Sequence, residues 1–110
     1  MSATITDLDT LKRALRDFAA ARDWRQYHTP KNLAMAMIVE AAELVEHFQW
    51  ATPEESLNPP PDKRAAIRDE VADTLIYLVE LADVLDIDLI AAACDKIAKN
   101  ALKYPATRAP

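Results

Sequence analysis

Four acidic residues fall into two matched pairs, Glu40-x-x-Glu43 and Glu70-x-x-Asp73. Three residues is close to one helical turn, so each pair would present both carboxylates on one helix face. No Lys or Arg stands three or four residues from any of the four, so none has a helical ion-pair partner. The run before the first pair, Leu33-Ala34-Met35-Ala36-Met37-Ile38, has no polar side chain. A carboxylate on a largely buried helix must be protonated or matched by positive charge. If the two helices lie antiparallel, the pairs meet across a bundle and place four carboxylates in a low-dielectric setting. Two divalent cations would balance them. All-oxygen donors select hard ions, Mg²⁺ first with Mn²⁺ as a possible substitute, over Zn²⁺. The pattern alone leaves a second reading open, in which both pairs are solvated faces of amphipathic helices.

Followed along their helices, the two faces read Glu40, Glu43, His47, Trp50 and Glu70, Asp73, Tyr77, Glu80, with the same steps of three, four and three. The elements that must carry them are helical throughout. A stripe of Leu8, Leu11, Leu15 and Phe18 predicts a first helix from after Thr6 to about Arg22. The connector Asp23-Trp24-Arg25-Gln26-Tyr27-His28 holds two aromatics and a histidine where solvated polar residues are the rule. Thr29-Pro30 is a helix start, hydroxyl cap followed by proline, and predicts a second helix to about Trp50. Thr52-Pro53-Glu54-Glu55 repeats that signal as a capping box for one short turn. Leu57-Asn58-Pro59-Pro60-Pro61 reads as a stiff spacer. A third helix is expected from about Asp62 to Leu85, with Ile67, Val71, Leu75, Leu78, Ala82 and Leu85 as its core stripe. Asp88 reads as the cap of a fourth helix that runs to about Tyr104 and stops at Pro105, with a loose tail beyond. The expected fold is all-α, a four-helix bundle.

Composition narrows the function. The 110 residues fit a single domain, 1–110 with its core at about 7–105, and 51% of them are hydrophobic. There is no glycine at all, where average usage predicts about eight. That excludes a Walker A loop and a G-x-G-x-x-G turn, so any phosphate must be held by another device. A net charge of −5 argues against nucleic acid or an anionic membrane as partner. The lone Cys94 excludes an intrachain disulfide and reads as a small helix-packing residue. Neither a membrane-spanning run nor a signal-peptide pattern is present, so the expected location is cytoplasmic.

Several strings in register sharpen this reading. Glu40-x-x-Glu43 followed 27 residues later by Glu70-x-x-Asp73 resembles the signature of the all-α nucleoside triphosphate pyrophosphohydrolases, the MazG-like superfamily. Four further strings resemble its dCTP pyrophosphatase branch: Trp24-Arg25-Gln26-Tyr27-His28-Thr29-Pro30-Lys31-Asn32-Leu33, Glu46-His47-Phe48-Gln49-Trp50, Asp73-Thr74-Leu75-Ile76-Tyr77-Leu78, and Lys96-x-x-x-Asn100-x-x-Lys103-Tyr104-Pro105. The resemblance runs in order through roughly residues 7 to 105. It implies Mg²⁺-dependent hydrolysis of a nucleoside triphosphate to the monophosphate and pyrophosphate, with Glu40, Glu43, Glu70 and Asp73 as metal ligands and catalytic residues. It implies Trp24, His28, Trp50 and Tyr77 around the nucleobase, and Lys96, Asn100, Lys103 and Tyr104 on the triphosphate. It also implies a homo-oligomer, a tetramer by our reading, in which the last helix completes a neighbour's site. His47 departs from the branch, which tends to carry an apolar residue there. As a ligand it would favour softer ions such as Mn²⁺ or Fe²⁺. We read it as lying outside the ligand set, with Glu46 as an edge residue or base.

The expected function is therefore conversion of dCTP, or a modified dCTP, to dCMP and pyrophosphate, in cleansing of the nucleotide pool. Alternatives on the same fold are dUTP, general nucleoside triphosphates or phosphoribosyl-ATP. From other classes, a non-catalytic helical dimerisation module remains open. A di-iron bundle is disfavoured because it would need Glu-x-x-His, and Glu43 and His47 are four apart.

Overall fold

The structure is a computed structural model that describes residues 4–107. It is all-helical among those residues. The helices are α1 (Leu8–Ala21), α2 (Pro30–Glu46), the one-turn α3 (Pro53–Leu57), α4 (Pro61–Val84) and α5 (Leu89–Lys103), with a 3-10 turn at Arg25–Tyr27 between α1 and α2. The all-α architecture is as expected from the periodicity.

Each start has a local cause. Asp7 and Thr10 form a capping box on α1, and Thr52 and Glu55 form another on α3. Thr29 caps α2 and Asp88 caps α5 through side-chain oxygens that accept from Asn32 and Ala91 N–H. Proline opens α2, α3 and α4, so Pro61 is the first residue of α4 rather than part of the spacer.

The stops show how a chain without glycine ends a helix. After α1 the Asp23 backbone is left-handed at φ 56°, and Trp24 N–H reaches back to Ala19 O at 2.9 Å while Asp23 N–H reaches Ala20 O at 3.2 Å. After α4, Asp86 has φ 55°, with Ile87 N–H on Ala82 O at 2.8 Å and Asp86 N–H on Asp83 O at 3.1 Å. Both are Schellman closures, with aspartate in the position glycine usually fills.

α2 ends at Glu46, four residues before the expected Trp50. The N–H groups of His47 and Phe48 turn to the carbonyls of Leu44 and Val45, three residues back, at 3.2 and 2.9 Å. Thr52, which precedes a proline, is extended at ψ 161°, so the helical ladder has to close upstream of it. Trp50 therefore leaves the helix, and the expectation that it shares the carboxylate face is corrected.

α2 and α4 form the central packed pair, and α1 lies against the C-terminal part of α4. The core is small: Ala19, Leu33, Val79 and Ala82 are its buried hydrophobic residues. Arg16 on α1 clamps Asp83 on α4 with two hydrogen bonds, Nε to Oδ2 at 2.7 Å and Nη2 to Oδ1 at 2.5 Å. This guanidinium holds the Asp83 carboxyl below the usual carboxylate range.

The expected core stripe of the third predicted helix is corrected in part. Ala82 is buried and Ile67 half-buried, but Val71, Leu75, Leu78 and Leu85 are exposed on this chain. The side of α4 turned to α2 carries Glu70, Thr74, Tyr77 and Leu81 instead, all half-buried. α2 has a matching exposed stripe in Met35, Ile38 and Val45. α5 packs little against its own chain: every residue from Ile90 to Lys103 is exposed, Cys94 included, so Cys94 is not a packing residue within this chain. The accessible surface is 8926 Å², against about 6,100 Å² for a compact monomer of this mass. The radius of gyration is 17.4 Å, against about 13 Å.

Candidate metal centre and active site

Packing of α2 on α4 brings the two acidic pairs together. One carboxylate oxygen each from Glu40, Glu43 and Glu70 all lie within 4.8 Å of one another. Leu33 is buried and lies two turns before Glu40 on the same side of α2, so the packing that covers Leu33 also turns Glu40 inward. Glu40 and Glu70 are half-buried, while Glu43 is exposed at the rim.

The cluster is electrostatically unsatisfied. Burial pushes the Glu40 carboxyl up to about 7, with Glu70, Glu43 and Asp73 adding to the shift. Burial raises Glu70 as well, although its contact with Glu40 acts in the opposite direction. Oε2 of Glu70 is buried with no hydrogen-bond partner. A buried acceptor without a donor is costly, and three carboxylates with no base among them need a cation or protons. The donor set is all oxygen and fits a hard divalent ion.

Asp73 is exposed, and its carboxylate stands outside the group of three within 4.8 Å. Its charge is nevertheless felt at Glu40, Glu70 and Tyr77. Tyr77 is half-buried on the same face of α4, and its hydroxyl is raised by burial and then by Glu40, Glu80 and Asp73. Glu46 is exposed and His47 half-buried, and neither joins the cluster.

The residues expected around a base divide between the two ends of α2. Trp24 sits at the N-terminal end, edge-on to Phe18 with ring centroids 5.7 Å apart, and Arg22 lies over the Phe18 ring at 3.4 Å. His28, one residue before the cap of α2, places Nδ1 3.1 Å from Glu80 Oε2 on α4. Trp50 lies past the other end and is 89% exposed, beside a groove of about 430 Å³ that Lys63, Asn58 and Pro60 also line. The 17 residues of α2 span about 25 Å, so Trp24 and Trp50 of one chain cannot hold the same base.

The expected phosphate residues lie on or just after α5. Lys96, Asn100, Lys103 and Tyr104 are all exposed, and Lys103 Nζ rests 5.3 Å from the centre of the Tyr104 ring. α5 makes no substantial contact with α2, so the four are not gathered round the carboxylates of their own chain. The residue that sequence reasoning left without a role is Glu80. Its place on the carboxylate face was visible, but its pairing with His28 crosses from a connector to a helix 52 positions away, which helical spacing cannot report.

A model of the MazG-like family matches residues 35–109, which include both acidic pairs. The chain belongs to the MazG-like family. Among curated relatives, mouse dCTP pyrophosphatase 1 is 44% identical over 101 residues, covering 89% of this chain. Human dCTP pyrophosphatase 1 is 44% identical over 102 residues, covering 90%. The match takes in 59% of either relative, so the chain spans about three-fifths of their length. In structure the chain is similar to a pyrophosphatase from Archaeoglobus fulgidus DSM 4304, with TM-score 0.85 and 39% identity over 96% of this chain and 99% of that one. The MazG-like dCTP pyrophosphatase resemblance drawn from the residues is thereby borne out. Among the described residues, no helix is long and apolar enough to cross a membrane.

Proposed function

We propose that this chain, as one domain with its core at about residues 7–105, hydrolyses dCTP or a modified dCTP to dCMP and pyrophosphate, removing such nucleotides from the pool. Water oxygen bonds to phosphorus, the phosphoanhydride P–O bond to the leaving pyrophosphate breaks, and the protons of water pass to the surroundings. The observation that carries this reading is the carboxylate trio of Glu40, Glu43 and Glu70 with the orphaned Glu70 Oε2. Identity to dCTP pyrophosphatases supports the choice of base.

In this reading Glu40, Glu43, Glu70 and Asp73 hold Mg²⁺, with Mn²⁺ as a substitute. The bound ion supplies positive charge for the phosphate oxygens and for the charge that develops on the leaving pyrophosphate. Tyr77, half-buried on α4, feels the charges of Glu40, Glu80 and Asp73. Lys96, Asn100, Lys103 and Tyr104 meet the triphosphate, a task side chains must do in a chain without glycine loops.

The site is completed by a second copy. An isolated chain leaves about 2,800 Å² more surface than a compact monomer, an amount typical of obligate interfaces. The stripes Met35, Ile38, Val45 and Val71, Leu75, Leu78 supply apolar faces for such contact, and α5 is free to lay its lysines against a neighbour's carboxylates. A homo-oligomer, a tetramer by our reading, also resolves the 25 Å problem, because Trp50 and Trp24 would reach one base from different copies. Product analysis with dCTP, dUTP and ribonucleotides in Mg²⁺ tests the proposal: dCMP and pyrophosphate support it, and no turnover of any of them refutes it.

A further inference from the structure

α5 has the least cover of the long helices, with every residue from Ile90 to Lys103 exposed. Its apolar residues are nevertheless ordered. Ile90, Cys94, Ile97 and Ala101 follow at steps of four, three and four, the spacing of a coiled-coil seam, and share one side of the helix. Ile90 is 60% exposed and Ile97 69%. Lys96, Lys99 and Lys103 fall on the side away from that seam. The two ends of the helix also differ in charge. A cavity at its start is lined by Asp7, Asp9, Asp83, Asp86 and Asp88, with Lys12 as the one base. Arg16 holds Asp83 and Lys12 stands 3.4 Å from Asp9, so Asp7, Asp86 and Asp88 are left without a salt bridge among the described residues. The second half of α5 carries the three lysines, and Asp95 is the one acid between Leu89 and Lys103.

We propose that α5 pairs with α5 of a second copy, antiparallel about a two-fold axis midway between Cys94 and Ile97. This rests on the assembly proposed above and adds which helix joins which. A two-fold contact needs a surface complementary to itself, and α5 meets that condition in two ways. In an antiparallel pair, Cys94 lies level with Ile97 of the partner subunit and Ile90 with Ala101 of the partner subunit, so the seam closes along its length. The same order sets the lysine-bearing end of each helix beside the aspartate-bearing end of the other and opposes the helix dipoles, whereas parallel order would put like ends together. The 15 residues of α5 make a seam about 22 Å long. That is too little to hold two chains alone, since stable interfaces bury about 1,200 Å² or more. The α5 pair therefore joins copies already held through the stripes on α2 and α4, and a surplus surface of about 2,800 Å² has room for both contacts. The lysines stay turned away from the seam, where the proposed triphosphate contacts need them.

Cross-linking on the full chain tests the pairing, because Cys94 is its one cysteine and is removed by Cys94→Ala. In that background Ile90→Cys and Ala101→Cys are introduced singly and together, and the oxidised chains are separated on a non-reducing gel. Positions 90 and 101 of opposite copies come level in the antiparallel pair, within the roughly 7 Å between Cα atoms that a disulfide spans. The same position in the two copies is about 16 Å apart along the axis. Each single variant should therefore stay unlinked, while the double variant, or a mixture of the two singles, should give covalent dimer as the main product. Links within the single variants and none between positions 90 and 101 overturn the antiparallel order, and no link in any mixture overturns the pairing. A second variant, Ile97→Glu, changes a side chain already exposed on the single chain and should halve the mass in light scattering, from four chains to two. A mass unchanged from the wild type overturns the proposal. A multimer that turns over dCTP but shows neither effect removes the α5 pair and leaves the assembly reading intact, whereas a monomeric wild type removes both.

Discussion

Glu40 and Glu70, on different helices, bring carboxylate oxygens within 4.8 Å of each other, and Oε2 of Glu70 is buried without a donor. Packing leaves that arrangement electrostatically strained, and a shared proton or a bound cation would relieve it.

Glu70→Gln tests the strain directly. Without metal the variant should melt at or above the wild-type temperature, because one of the crowded charges is gone. With Mg²⁺ at about 100 times its Kd, the wild type should gain about 2.7 kcal/mol, and Glu70→Gln should gain almost nothing. Thermal melts with and without EDTA read both effects. A Mg²⁺ gain that survives in Glu70→Gln contradicts the ligand assignment.

The pH dependence follows from Glu40. Burial pushes its carboxyl in the folded chain up to about 7, above the ordinary glutamate value of 4.5. Between those values the folded state binds more protons than the unfolded one, so metal-free stability should fall as pH rises from about 4.5 to about 7 and then level off. Asp83 acts lower and in the opposite sense: its depressed pKa gives stability that is present above 3.8 and lost as pH falls. Mg²⁺ should flatten the upper limb, because metal competes with the proton for Glu40. Melting temperature against pH in EDTA and in Mg²⁺ would reveal a contradictory rise through that window.

Asp23 and Asp86 occupy left-handed backbone at φ 56° and 55°. Glycine at either place would remove a steric cost of about 1–2 kcal/mol, against a flexibility cost of about 0.4–1 kcal/mol. Asp23→Gly and Asp86→Gly should each stabilise the chain by about 0.5–1 kcal/mol, read by urea unfolding. Destabilisation by either would show that the aspartate side chain has a further role.

The exposed stripes predict assembly. Ile38→Glu with Leu75→Glu should leave helicity intact, since both are exposed on the single chain, but should reduce the mass in light scattering to that of one chain and abolish activity. Mixing Glu70→Gln with Lys103→Ala chains should restore part of the activity each lacks, because sites would then form between copies. An active monomer would refute the shared site.

Much of this was legible in the sequence, for local reasons. Helix starts could be read because a threonine or aspartate cap and a following proline act within one turn, as at Thr29-Pro30 and Thr52-Pro53. The acidic pairs could be read because helical spacing fixes their faces. What spacing could not report was where a helix stops being a helix: Trp50 was projected onto a face that ends at Glu46. It also could not say which apolar stripe is covered by the same chain. Val71, Leu75 and Leu78 have the periodicity of a core, and the structure leaves them exposed, since periodicity marks a face to be buried without naming its partner. The His28–Glu80 pair was invisible for a third reason, being a contact between distant segments.

The central claim is cleavage of dCTP at a carboxylate-held metal. Incubating the purified chain with dCTP and Mg²⁺, and separating the products, tests it most directly. The account predicts equimolar dCMP and pyrophosphate, with turnover abolished by EDTA and lowered by about two orders of magnitude or more in Glu70→Gln. Release of dCDP with orthophosphate, or dCMP formation undiminished in EDTA, would contradict it.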